Sequence, residues 1–86
     1  MSYDYKRLEA DLNEVLGAMS AFTPFEIAEV EQFLSAGEYG LAFETFCGIA
    51  SEESKPIPVE LRSKVRKIAE EMEIDPVWWA ELVIEK

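Results

Sequence analysis

Apolar residues recur along most of this chain at three- and four-residue intervals, the spacing of one face of an α-helix. Tyr5, Leu8, Leu12, Val15, Leu16 and Met19 form the first stripe, with Lys6, Glu9, Asp11 and Glu14 outside it. They predict a helix from about Tyr3 to Met19, fraying through "GAMSAF". Thr23 then reads as an N-cap, Pro24 as the first helical residue, and Glu26 as the partner that completes a capping box. Ile27, Val30, Phe33 and Leu34 form the inner face of that second helix, and Gly37 supplies the left-handed residue that ends it. A third helix runs from near Glu38 to about Ser51, with Tyr39, Ala42, Phe43, Phe46, Ile49 and Ala50 on its apolar face. After the loop "SEESKPIP", Pro58 or its neighbours open a fourth helix, with Leu61, Val65, Ile68, Ala69 and Met72 inside. Asp75 caps a short fifth helix with Pro76 at its first position, followed by Val77, Trp78, Trp79, Leu82 and Val83. No stretch alternates at period two over a strand's length, and there is no internal repeat. The expected fold is all-α: a compact single-domain bundle of about five short helices spanning residues 1–86.

Length and charge narrow the picture. A chain of 86 residues buries about 60–65% of its unfolded surface, enough for one modest core. Its net charge is −10. Met1 to Ser54 holds eleven acidic residues against Lys6 and Arg7, whereas Lys55, Arg62, Lys64, Arg66 and Lys67 form a basic island around Glu60. That balance disfavours direct nucleic-acid binding, which needs clustered bases, and favours a basic partner. The island is expected to be an exposed helix face pairing with the molecule's own acids. Cys47 is the sole cysteine, so no intrachain disulfide forms, which suits a reducing compartment. The N-terminal residues lack the apolar region of a secretory signal, and no apolar run reaches the length of a membrane span. The expectation is a soluble, cytoplasmic protein.

Candidate chemistry is thin. The sequence has no histidine, which removes Ser-His and Cys-His nucleophile pairs, His zinc sites and the commonest general base. The spacing of Glu70, Glu71, Glu73 and Asp75 fits neither a calcium loop nor a di-iron bundle, and no glycine-rich phosphate loop is present. We therefore expect no enzyme activity, no cofactor and no metal. Cys47 reads as a small buried hydrophobe beside the inner stripe. Trp78 and Trp79 lie about 100° apart on a helix, so one is expected in the core and the other at an edge or a contact.

The segment "FLSAGEYGLAFETF" is the densest cue to a binding role. Gly37 suffices to end a helix, and Gly40 falls in the first turn of the next, where glycine is a poor helix former. A glycine there allows another backbone to approach, either the second helix or a docking protein. Glu31, Glu38 and Glu44 surround this corner with Tyr39 beside it, and Glu26 and Glu29 lie further back. Together they make an acidic rim with an aromatic anchor, suited to a basic surface.

The stretch "VEQFLSAGEYGLAFETFCGIASEESKPIPVELRSKVRKIAEEMEID", with the tryptophan-bearing end, resembles the MafI-like immunity proteins. The resemblance covers roughly Ile27 to Leu82, and its most specific part is the G-E-x-G-L-A core from Gly37 to Ala42. It implies a stoichiometric inhibitor that binds a cognate bacterial toxin domain, often a nuclease such as an RNase, in the cytoplasm of the producing cell. A nuclease binds phosphate and presents a basic cleft, which agrees with the charge reading. Such a chain is expected to be a monomer or weak dimer. The alternative is a small regulatory or adaptor domain acting by protein contact or dimerisation.

Overall fold

A computed structural model describes residues 5–84. They form α1 (Tyr5–Gly17), α2 (Pro24–Ser35), α3 (Tyr39–Glu52), a 3₁₀ turn (Val59–Leu61), α4 (Arg62–Glu71) and α5 (Pro76–Trp79). The all-α architecture agrees with the periodicity. The expected start of the first helix at Tyr3 lies outside the described residues. α2 and α3 form a helical hairpin, α1 packs on α3 and α4, and the short α5 bridges α3 and α4.

One apolar core unites these elements. The predicted stripes supply it: Leu8, Leu12, Val15 and Leu16 from α1, Val30 and Leu34 from α2, and Val65, Ile68 and Ala69 from α4. α3 runs through the centre, burying Ala42, Phe43, Phe46, Cys47 and Ala50. Phe46 packs its ring 5.4 Å from Phe22 and 6.1 Å from Phe43 between centroids. Met19 and Phe22 are buried too, so the α1–α2 connection belongs to the core.

The C-terminal end refines one expectation and corrects another. The fourth helical segment opens beside Pro58 as expected, but its first turn, capped by Pro58, is 3₁₀ and does not become α-helical until Arg62. Nor does the fifth helix reach Val83, because α5 stops at Trp79 and residues 82–84 straighten. The cause is the buried residue Ile57, whose backbone N–H needs an acceptor. The Val83 carbonyl supplies it at 2.7 Å, and Ile57 and Ile84 form an isolated parallel bridge.

α2, α3 and α4 end in the same hydrogen-bonded motif. After α2, Gly37 takes φ +75°, its N–H donates to Leu34 and that of Glu38 to Phe33. Ser54 and Glu73 occupy the equivalent left-handed positions, at φ 53° and 54°, after α3 and α4. The closing bonds there run from Lys55 to Ala50 and from Ile74 to Ala69. Glycine is favoured at such positions, and Glu73 also sets a negative charge at the negative end of a helix dipole.

Of the two readings of Gly40, close approach of the second helix is not found. A Cβ built on Gly40 meets no atom within 4 Å, so no neighbouring backbone approaches there. Packing therefore does not require glycine at position 40. We expect Glu73→Gly, Ser54→Gly and Gly40→Ala each to raise stability, by about 0.5–1 kcal/mol. Thermal unfolding should register each as a rise of a few degrees, at roughly 4–8 °C per kcal/mol for a domain of this size. A fall in melting temperature for Gly40→Ala would show that the fold itself needs glycine there.

A candidate protein-interaction face

The charges divide by location. On the α1–α4 seam part of the basic island is answered from within, while Arg62 and Lys67 form no ion pair among the described residues. Lys64 Nζ lies 3.0 Å from Glu14 Oε1 and 3.4 Å from Asp11 Oδ1, and these hydrogen bonds, Glu14 foremost, push its pKa up. Arg66 pairs with Glu70 one turn on at 3.2 Å, and Arg7 pairs with Glu71. The expectation that these bases meet the molecule's own acids holds for Lys64 and Arg66. Exposed pairs of this kind contribute about 0–1 kcal/mol each. Their larger effect is to quench positive charge on that side.

Apart from Glu26, the acids of the α2–α3 hairpin have no such answer. No lysine or arginine occurs between Leu8 and Ser54. Among the described residues, Glu29, Glu31, Glu38, Glu44 and Glu52 form no ion pair.

Glu26 behaves differently from its neighbours. Its Oε1 accepts the Thr23 backbone N–H at 2.8 Å while Thr23 Oγ1 accepts the Glu26 N–H at 3.2 Å, forming the predicted capping box. Lys55, which also donates to the Ala21 carbonyl, sits 3.2 Å from the same carboxylate. The Thr23 amide, assisted by Lys55, holds the Glu26 carboxyl below its ordinary pKa. This carboxylate fastens the start of α2 to the loop after α3. A lowered folded pKa means that its stabilisation is present above the unfolded value and lost as pH falls through the folded one. Glu26→Gln should therefore lose stability at neutral pH and flatten the acid limb of the stability–pH profile. A profile identical to that of the parent chain, measured by chemical unfolding across pH, would contradict this role.

The remaining predicted residues fall into two groups. Glu38 and Tyr39 line a shallow hollow of about 390 Å³ with Tyr5, Gly37, Gly40, Leu41 and Met72. The Tyr5 and Tyr39 rings are 5.9 Å apart. Glu29 and Glu44 line a second hollow, of about 310 Å³, with Leu41, Thr45, Gly48, Glu52 and Trp78. Glu31 is exposed on α2 and lines neither.

Leu41 joins the two hollows and is 46% exposed. A third hollow, of about 260 Å³, continues past Trp78 to Val77, over Gly48, Ser51 and Glu52. The outer side of α3 thus carries an apolar strip from the Tyr39 corner through Leu41 to Trp78 and Val77, rimmed by Glu29, Glu38, Glu44 and Glu52. An apolar centre with a charged rim is the composition of a protein-binding surface.

The sequence reading missed Leu41, Glu52 and Val77 as parts of this face. For Leu41 and Glu52 the signal was a second helical stripe: Leu41, Glu44, Thr45, Gly48 and Glu52 follow three- and four-residue spacing on the side opposite Phe43 and Phe46.

The tryptophans divide, but neither is a core residue. Trp79 is half-buried and its indole N–H donates to the Ile74 carbonyl at 3.0 Å, whereas Trp78 is 41% exposed. Cys47 is fully buried, and burial, with the Glu44 charge adding to it, pushes its thiol up to about 12. Among the described residues, no group of three His, Cys, Asp or Glu side chains is placed to hold a metal ion, and no helix is long and apolar enough to cross a membrane. The chain matches no family model, no curated protein and no solved structure.

Proposed function

We propose that this chain is an immunity-type inhibitor, a binding module that neutralises a toxin domain by one-to-one association through the α2–α3 face. The observation that carries this reading is the apolar strip on the outer side of α3 with its rim of carboxylates that form no ion pair among the described residues. Glu29, Glu38, Glu44 and Glu52 stand without internal partners around an apolar strip, while Lys64, Arg66 and Arg7 are paired on the α1–α4 seam. A basic nuclease cleft, such as that of an RNase, is complementary to such a face, and opposite charge speeds the encounter, toward 10⁸–10⁹ M⁻¹s⁻¹ at low salt, on the order of the steered limit. The resemblance of the Gly37–Ala42 corner to the MafI-like immunity proteins supports the same role, with the cytoplasm as the place of action.

Co-expression tests it. The reading frame beside this gene is expressed alone and together with the chain, and growth is followed. Growth arrest relieved by the chain, with inhibition of the purified toxin domain complete at one equivalent, is the expected result. Arrest that persists while both proteins accumulate in folded form would overturn the reading.

A further inference from the structure

We infer that Trp78 is the seat for an arginine side chain of the partner, whose guanidinium is taken up by the carboxylates beside the indole; this rests on the immunity reading and names its central contact. Trp78 belongs to a four-residue helix and is poorly anchored by comparison with Trp79. Among the described residues its indole N–H makes no hydrogen bond, so it too is available to a partner. A large aromatic side chain left two-fifths exposed on an acidic chain is a ready anchor for binding.

The bed beneath the indole is built from a poor helix former. Gly48 lies in the middle of α3, where glycine is a weaker choice than alanine. A Cβ there would sit 3.9 Å from Trp78 Cζ3, an ordinary contact. The indole thus rests directly against the helix and separates the hollows of about 260 and 310 Å³, which share Gly48, Glu52 and Trp78.

The chemistry of the occupant follows from the lining. Glu29, Glu44 and Glu52 border these hollows and no base does, so an anionic ligand is repelled. A second copy of the chain, with its own net charge of −10, would set acid against acid across this surface. A cation with an apolar stem fits. Of the two basic side chains, arginine stacks on an aromatic face, is more weakly hydrated, and offers a planar fork to carboxylates, whereas lysine is a compact, strongly hydrated point charge.

The test uses ¹⁵N-labelled chain titrated with a capped tetra-arginine peptide and, separately, with its tetra-lysine counterpart. Shifts should concentrate at the Trp78 indole N–H, Gly48, Glu44 and Glu52, with arginine binding tighter by about two- to fivefold. In Trp78→Leu, which keeps the strip apolar, the arginine preference should vanish while the weak general attraction to both peptides remains. Equal binding of the two peptides, or shifts spread over the α1 acids Glu9 and Glu14, would overturn the arginine seat. The growth-protection assay judges the immunity reading separately, because a toxin bound elsewhere on the chain would still be neutralised.

Discussion

Phe43→Ala should leave a substantial fraction of the chain unfolded and expose Cys47 to thiol reagents. Phe43 is fully buried at the centre of α3, against Phe46. Removing its ring costs about 3–5 kcal/mol in lost transfer energy and residual cavity. Small domains hold only about 5–15 kcal/mol in total. Cys47 lies one turn further along the same helix, fully buried, with its thiol pushed up to about 12. In the native state it should react only through opening. Labelling should therefore accelerate by roughly 10²–10⁴-fold in Phe43→Ala, following the larger open population. Leu41→Ala, on the exposed side of the same helix, should leave the labelling rate nearly unchanged. Equal rates for parent and Phe43→Ala would contradict the placement of the core.

Neutralising the three carboxylates around Trp78, as Glu29→Gln, Glu44→Gln and Glu52→Gln together, should slow association with the proposed toxin partner by about tenfold or more at low salt. Dissociation should quicken as well, because the same carboxylates hold the partner's guanidinium beside Trp78, and much of the salt dependence of the association rate should disappear. Folding should survive, since none of the three forms an ion pair within the described residues. Glu31→Gln, which touches neither hollow, should have a small effect. Asp11→Asn with Glu14→Gln gives the reciprocal control: it removes the partners of Lys64 and should leave binding intact. Stopped-flow association rates across a salt series read all of these. An unchanged rate and salt slope in the triple variant would place the contact elsewhere.

The parts of this fold governed by local rules were legible in the sequence. The Thr23–Pro24–Glu26 box, the Gly37 stop and the Asp75–Pro76 start appear in the structure where their chemistry puts them. Most residues of the inner stripes named from periodicity became the core, but Tyr5 is exposed and Ile27, Phe33, Tyr39, Ile49 and Met72 are only partly buried at its edge. Long-range requirements were not legible. The straightening of residues 82–84 answers a need of Ile57, some 25 residues earlier, and local sequence carries no trace of that pairing. Ser54 and Glu73 end helices in a left-handed conformation that neither residue favours, so only the surrounding packing selects it.

The candidate face was read in outline. Glu29, Glu38, Tyr39 and Glu44 do border the hollows, but Glu26, the most conspicuous acid at the start of α2, is held by Thr23 and Lys55. The sequence reading treated the acids by proximity to the Gly37 corner. The geometry orders them by the outer stripe of α3, which carries the face from Tyr39 to Trp78. Gly40 also changes meaning: it admits no close backbone, and together with Gly37 it leaves the hollow beside Tyr5 and Tyr39 open.

The most direct test of the central claim is amide hydrogen exchange on the chain, free and in complex with the proposed toxin partner. The account predicts new protection along α3 from Tyr39 to Glu52 and across α5 around Trp78, with α1 and α4 unchanged. Protection confined to α4 and the hollow bordered by Arg62, Arg66 and Trp79, with α3 unaltered, would contradict it.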